Sequence, residues 1–444
     1  MLELPTLYAR ARNGAITQWR VYNRGDIVCT EFGKLGGKQT LHQDRVRSTN
    51  VGRANARIGE AQAEAEAQSA WTKKLAEGYF DSVNKAQTAL VLLPMLAHPL
   101  EKKVKRSGKE MKVERDVNWN HVWVQPKLNG LRCLTMYYDP TLTVFADMAG
   151  KPPAADIVMR SREGEDWTTL KHIKEDLAML MRPGDMVDGE VYQHHVPLQQ
   201  LNSYIKREQE QTKFLQYHLY DFPAQRGVIT AGWDSRWSCL RDAYATYVHY
   251  KTALAKVSMF SRHFIEETID GLHPGGRLAL IISMLPIQLV PTVTATSRSE
   301  ARALQQKFIQ DGYEGAILRA SERPYEFNNR CDGLLKLKDF QDESFVILDV
   351  KGRELIKDDK SVTIVDKFVF QNNLPGDTTA FEAVPRGTME ERAAWWNQRK
   401  ELVGETMTVR FLERSVSKLP QGNPVALGFR LEEDLGPEEG SLWT

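Results

Sequence analysis

Apolar and polar positions follow two rhythms along this chain, a period of two in many short runs and a period near 3.6 in a few longer ones. Short strand-like runs at Trp19–Tyr22 and Asp26–Phe32 are punctuated by glycines, and the second leads into the turn Gly33-Lys34-Leu35-Gly36-Gly37-Lys38. An Ala/Glu/Gln-rich stretch from about Glu60 to Glu77, followed by Gly78, predicts a helix with a glycine cap. Trp119–Gln125, Leu131–Tyr138, Met186–Tyr192, Phe214–Phe222, Ala316–Arg319 and Leu334–Lys338 predict strands. Thr168–Met181 predicts an amphipathic helix with Leu170, Ile173, Leu177 and Leu180 on one side. Ser297 and Glu300 have capping-box spacing and start a helix leading to Gln310. From about Glu343 the runs become short again: Phe345–Val350, Val362–Val365, Phe368–Phe370, Thr406–Phe411 and Val425–Phe429. One helix interrupts them, opened by Thr388 with Glu391 three residues on and closed by Gly404.

Five short strands around one helix predict a small barrel of the oligonucleotide-binding type at the C-terminal end. A chain of 444 residues is too long for one ordinary domain and predicts two or three. With 42% hydrophobic and 26% charged residues the composition is that of a globular protein. The longest apolar stretch, Leu90–Leu100, is short and broken by Pro94 and Pro99, so it is not expected to span a bilayer. The first residues lack the apolar core of a signal peptide. Cys29, Cys133, Cys239 and Cys331 form no CxxC pair, which argues against a disulfide framework or a zinc site and fits a reducing cytoplasm. The net charge of +1 points to no particular partner, but its distribution is uneven. Residues 1–58 hold ten Lys/Arg against four Asp/Glu, residues 101–115 hold seven against three, and the last fifteen residues are acidic (Glu432, Glu433, Asp434, Glu438, Glu439). Basic segments on a balanced chain suggest a local phosphate-binding surface, although charges that cancel across the fold give the same count.

The chemistry centres on Gln125-Pro126-Lys127-Leu128-Asn129-Gly130-Leu131-Arg132. A lysine stands in a loop between two predicted strands, with Gly130 allowing a tight turn. To act as a nucleophile near neutral pH it must lose its proton, which neighbouring cations or burial favour. Four further segments agree. Asp188-Gly189-Glu190 offers carboxylates for a sugar hydroxyl or a metal. Tyr220 and Phe222 flank Asp221 and offer ring faces to a base, although strand aromatics are commonly core. Tyr313-Glu314-Gly315 opens a strand with one carboxylate. In Leu334-Leu335-Lys336-Leu337-Lys338, alternation puts both lysines on one face, an arrangement that an anion such as a triphosphate would stabilise.

In this order, over roughly residues 90–342, these segments resemble the nucleotidyltransferase motifs of ATP-dependent DNA ligases, closest to the bacteriophage type, a family related to capping enzymes and RNA ligases. The resemblance implies an α+β multidomain protein. An adenylation (nucleotidyltransferase) domain of mixed antiparallel sheets and helices would span 83–342 and an OB-fold β-barrel 343–444. A second resemblance, of Phe32-Gly33-Lys34-Leu35-Gly36 to the core of WGR domains, implies a small WGR-like α+β domain over 1–82. The ligase resemblance implies that Lys127 is adenylated, that Arg132 and Arg162 (in Ser161-Arg162-Glu163-Gly164) bind phosphates of nucleotide or nick, and that Glu190 holds the ribose. Tyr220 would stack on adenine, Lys336 and Lys338 would contact the α-phosphate, and Glu190 and Glu314 would serve the divalent metal. ATP and Mg²⁺, with Mn²⁺ a possible substitute, are the implied cofactors. Nicked double-stranded DNA is the implied partner of a monomer in the cytoplasm of a bacterial or phage-infected cell. The barrel is expected to close over nucleotide and DNA through a hinge near Asp339.

Two positions depart from the family pattern. The aspartate usual after the nucleophile is Asn129 here, which gives weight to an RNA ligase or capping-type guanylyltransferase. The motif expected in the barrel is not cleanly legible, with Lys418 and Arg430 in the right region. In the N-terminal part, Phe32-Gly33-Lys34-Leu35-Gly36 resembles the Trp-Gly-Arg-Val-Gly core of WGR domains, which implies DNA contacts from Phe32, Lys34 and Lys38. A plain hairpin is the alternative there, and a surface arginine the alternative for Arg162. His194-His195 reads as a polar loop pair. A catalytically inactive DNA-end-binding protein is the alternative from another class, set against the joint presence of Lys127, Glu190, Glu314, Lys336 and Lys338.

Overall fold

Lys127 follows a strand of one sheet and precedes a strand of another, and this crossing organises one of the two units of the computed structural model. The structure describes residues 2–429 except 12–13, 47, 49–51, 53, 55, 58, 90, 107–108, 146–147, 149–151, 153, 230–231, 258–273, 321, 339–340, 358–359, 412, 415–418 and 422–423. Asp339, Lys418, Arg430 and the acidic C-terminal residues lie outside the described residues. The chain divides into two compact units, one of Ala76–Gly78 and Thr88–Lys338, the other of Met1–Leu75, Tyr79–Gln87 and Asp339–Thr444. Among the described residues no helix is long and apolar enough to cross a membrane.

The first unit holds two main sheets. One contains, in order, Val293–Ala295, Val122–Pro126, Ala316–Ala320, Arg330–Leu337 and Leu96–Pro99. The other runs Asp156–Ser161, Leu131–Tyr138, Met186–Tyr192, Gln216–Gln225 and Val228–Ile229, with Ile287–Leu289 added parallel to Gln216–Gln225. Helices Lys171–Leu180 and Trp233–Val257 cover this second sheet. Ile173, Leu177, Trp233, Trp237, Leu240 and Tyr247 pack with Val187, Val191, Tyr217 and Leu219 in its core. Burying an apolar helix face of this kind is the main source of the unit's stability. The helix predicted over Thr168–Met181 is shorter, because buried Leu170 is its N-cap and Met181 is already extended at its C-cap. Helix Arg298–Gln310 begins as expected, with Ser297 Oγ accepting from Glu300 N–H. The Glu300 carboxylate, however, accepts from Thr296 and not from Ser297.

The second unit combines the N-terminal strands with the C-terminal barrel. Leu7–Arg10, Ile16–Arg24, Ile27–Lys34 and Gln39–Arg45 form an antiparallel meander that packs Leu7, Trp19 and Val21 on Ala67 of helix Gly59–Ala76. The meander joins the long strand Gln341–Lys357 at Asp44↔Leu355, flanked by ion pairs Arg45–Glu354 (2.9 Å) and Arg353–Asp44 (2.5 Å). Gln341–Lys357, Lys360–Gln371, Ala380–Pro385, Val425–Phe429 and Thr406–Phe411 close into a five-stranded barrel, because the first of these also pairs with the last. Its interior is aromatic: Phe345, Phe368, Phe370, Phe381 and Phe411 meet there. The runs Val362–Val365 and Phe368–Phe370 turn out to be one strand, and the fifth strand is Ala380–Pro385, whose Ala/Glu content hides its strand character. Helix Met389–Asn397 carries the full capping box from Thr388 and Glu391.

Candidate active site

Lys127, at the start of its loop, is held by two backbone hydrogen bonds to the turn before the neighbouring strand. Lys127 N–H donates to the Gly315 carbonyl (2.9 Å), and Glu314 N–H donates to the Lys127 carbonyl (3.0 Å). This requires close backbone approach, and glycine supplies it on both sides. A Cβ on Gly130 would lie 2.6 Å from the Val191 carbonyl oxygen and 2.7 Å from Glu190 Cγ. Gly315 has φ +140°, and a Cβ there would stand 2.3 Å from the Leu337 carbonyl oxygen. Gly315→Ala is therefore expected to cost about 1–3 kcal/mol of stability, read as a lower thermal midpoint. An unchanged midpoint would contradict this close fit.

Charge converges on Glu314. Its Oε2 is paired with the ammonium of Lys127 and, at 2.8 Å, with that of Lys338. Burial pushes the Glu314 carboxyl up, but the two ammoniums outweigh it and hold it below the ordinary range. Burial, then the Lys127 ammonium, hold Lys338 down. Lys336 is likewise depressed by burial and by the charges of Lys338, Arg330, Lys127 and Arg162. Lys127, Lys336, Lys338 and Glu314 thus form one cluster, with Arg162 exposed at its edge on the turn after Asp156–Ser161. An excess of cations around a single carboxylate suits a polyphosphate.

Glu190 lies on the facing sheet, half-buried, and accepts from the Tyr220 hydroxyl at 3.4 Å. Burial raises its carboxyl to about 7, with Lys127 and Arg132 opposing the rise. The carboxylates of Glu190 and Glu314 are hard oxygen donors of the kind that Mg²⁺ takes alongside phosphate oxygens and water. Among the described residues no group of three or more His, Cys, Asp or Glu side chains gathers as a metal site of its own. Arg132 is engaged by a partner the sequence did not reveal: its Nε and Nη2 bond both oxygens of fully buried Asp188, at 3.1 and 2.5 Å. Tyr220 is half-buried, with the guanidiniums of Arg319 and Arg132 5.1 and 5.7 Å from its ring centre. The available sign was an acid, Asp188 or Asp221, set inside an otherwise apolar strand, which calls for a buried cation.

Phe32, Lys34 and Lys38 belong to the other unit. Phe32 is 37% exposed and meets His42 edge-on, while Lys34 and Lys38 are exposed on the hairpin between Ile27–Lys34 and Gln39–Arg45. The rings of His194 and His195 meet at a tilt, and that of His194 also meets Tyr313, beside the Glu314 turn.

No family model matches this chain. It is 25% identical over 320 residues to the DNA ligase of African swine fever virus (isolate Pig/Kenya/KEN-50/1950), covering 69% of this chain and 63% of that protein. It is 26% identical over 287 residues to the DNA ligase of isolate Tick/Malawi/Lil 20-1/1983, covering 62% of this chain and 58% of the relative. The chain therefore spans less than two thirds of the length of these curated relatives. Among solved structures it is similar to one described as "Pmar-Lig_Pre.", at 17% identity and a TM-score of 0.48, covering 70% of this chain and 64% of that one.

Proposed function

We propose that this protein is an ATP-dependent DNA ligase that seals 5′-phosphate/3′-hydroxyl nicks in duplex DNA, serving replication, repair or recombination. The observation that supports this best is the meeting of Lys127, Glu314 and Lys338 at one point, from segments nearly two hundred residues apart. In the first step the Lys127 amine attacks the α-phosphorus of ATP, a P–N bond forms, and pyrophosphate leaves. AMP then passes to the 5′-phosphate of the nick, and the 3′-hydroxyl attacks that phosphate and releases AMP. Lys336 and Lys338 neutralise phosphate charge, Arg162 binds phosphate at the edge of the site, Glu190 takes the ribose, and Tyr220 stacks on the base. Arg132 serves the phosphates from its pair with Asp188. Glu314 and Glu190 would hold Mg²⁺, which supplies charge neutralisation to the transferring phosphoryl group.

Residues 83–342 then act as the adenylation domain and 343–444 as an OB-fold domain, and the protein works as a monomer in the cytoplasm. Asn129 leaves RNA joining as the second reading, while similarity to viral DNA ligases favours DNA. Labelled ATP or GTP with Mg²⁺, followed by a chase with nicked DNA or nicked RNA, separates them: label from ATP moving to nicked DNA is the expected result. Label from GTP alone, transfer to RNA alone, or no label on the protein would contradict the proposal.

Residues 1–82 are proposed to be a WGR-like DNA-binding part, with Phe32, Lys34 and Lys38 facing the duplex. Each phosphate contact steepens log Kd against log salt by about 0.9. The double variant Lys34→Ala/Lys38→Ala is expected to weaken nicked-DNA binding and flatten that slope by up to about 1.8. Adenylation by ATP should stay intact. An unchanged affinity and slope would remove the hairpin from the DNA interface.

A further inference from the structure

The two sheets flanking Lys127 are tied by a buried polar layer that the chemistry above does not use. Arg319, 3% exposed on strand Ala316–Ala320, donates through Nε to Gln125 Oε1 (2.7 Å) in its own sheet. Through Nη1 it donates to Asp221 Oδ2 (2.6 Å) in the other sheet. Gln125 is two residues before Lys127, and Asp221 is next to Tyr220. Arg236, 2% exposed, fixes Asp221 from behind, with Nε to Oδ1 at 2.7 Å and Nη1 to the Arg323 carbonyl at 3.0 Å. A second tie runs parallel. Buried Tyr325 donates to Asp188 Oδ2 (2.6 Å), the carboxylate that grips Arg132, and accepts from Met95 N–H (3.0 Å). The Arg319 guanidinium also lies 4.2 Å from the Trp233 ring centre, and that of Arg236 lies 5.7 Å from the Tyr325 ring centre, so the two ties touch one layer of rings.

Stability alone explains this layer poorly. Burying two guanidiniums on one carboxylate carries a desolvation cost that well-packed apolar side chains would avoid. Apolar packing, however, leaves two sheets able to slide, because it has no directional preference. Charge-assisted hydrogen bonds at fixed angles do not permit that. In-line attack on phosphorus is sensitive to this: a displacement of about 1 Å can cost on the order of 10²-fold in rate.

We propose that Arg319 and Tyr325 are positioning residues, which brace the sheet carrying the Lys127 loop against the sheet carrying Tyr220 and Glu190 and so set the line of attack on ATP. The inference rests on the adenylation reading and goes beyond it by assigning a role to two buried side chains that the proposed steps leave unused. It is tested by single-turnover formation of protein–AMP, separating the rate at saturating ATP from the ATP concentration at half-saturation. Arg319→Lys keeps the charge and loses the fork. It should lower the saturating rate about 10–100-fold, with half-saturating ATP changed less than about 3-fold. Tyr325→Phe, which removes one hydroxyl and is the variant that decides should Arg319→Lys not fold, should lower the rate by a smaller factor in the same manner. The control is Lys251→Met, which breaks a half-buried pair with Asp176 (3.0 Å) away from this layer. It should lower the thermal midpoint and leave the rate alone. Undiminished rates in both folded variants, a loss confined to half-saturating ATP, or an equal rate loss in the control would each overturn the brace. No label on the wild-type protein would overturn the adenylation reading and the brace together. Label on the wild type beside undiminished variants overturns the brace alone.

Discussion

Lys127→Ala is expected to abolish protein–AMP formation, a loss on the order of 10⁴-fold or more, as removal of a covalent nucleophile usually produces. Three lysines share the cluster, so the identity of the nucleophile is a real question. Lys338 and Lys336 both have ammoniums held down by burial, which favours the free amine. Position argues for Lys127 instead. Its loop is clamped by backbone bonds to Gly315 and Glu314 and faces Glu190 across the Gly130 turn. Lys336 is part of a strand and Lys338 directly follows it, where each can neutralise phosphate charge from the side. Lys338→Ala should therefore slow adenylation without abolishing it. Lys127→Ala should still seal a nick that is already adenylated, because the final step needs no lysine nucleophile. Label retained by Lys127→Ala in a time course with ATP would move the role to another residue.

Glu314→Gln is the second large effect, expected to slow adenylation on the order of 10²-fold or more. The substitution keeps the shape of the side chain and its acceptor oxygen, and removes one negative charge from between two ammoniums. What is left is an uncompensated pair, Lys127 and Lys338, whose mutual repulsion disorders the attacking amine when ATP is absent. When ATP is present the site has lost a carboxylate oxygen for Mg²⁺. The measurement is the rate of protein–AMP formation across a range of Mg²⁺ concentrations, with a lower plateau and a higher half-saturating Mg²⁺ expected. A plateau near that of the wild type at ordinary Mg²⁺ would make Glu314 a structural salt bridge only.

The candidate site was legible because its chemistry sits in short, contiguous segments. Lys127, Glu190, Tyr220, Glu314, Lys336 and Lys338 each announce themselves by residue type and by the glycines or alternation beside them. Their supports were not legible, because Arg319, Arg236 and Tyr325 find Asp221 and Asp188 only across the fold, between 15 and 137 residues away. The fold shows the same division. Leu131–Tyr138, Met186–Tyr192 and Thr406–Phe411 match their apolar runs residue for residue. Helix Trp233–Val257 escaped because its Trp, Tyr, Val and Thr content suggests strand, although Trp233, Trp237, Leu240 and Tyr247 repeat at helical spacing and are all buried. The pairing of Asp44 with Leu355 joins segments some three hundred residues apart, and no local pattern encodes it.

The most direct test of the central claim is to locate the nucleotide on the protein. The purified chain is incubated with Mg²⁺ and ATP labelled in the α-phosphate, digested, and the AMP-bearing peptide sequenced by mass spectrometry. A parallel sample is chased with nicked duplex DNA. The predicted result is a single AMP linked to Lys127, lost from the protein as the nick is sealed. AMP on any other residue, or a Lys127–AMP that nicked DNA fails to discharge, would contradict it.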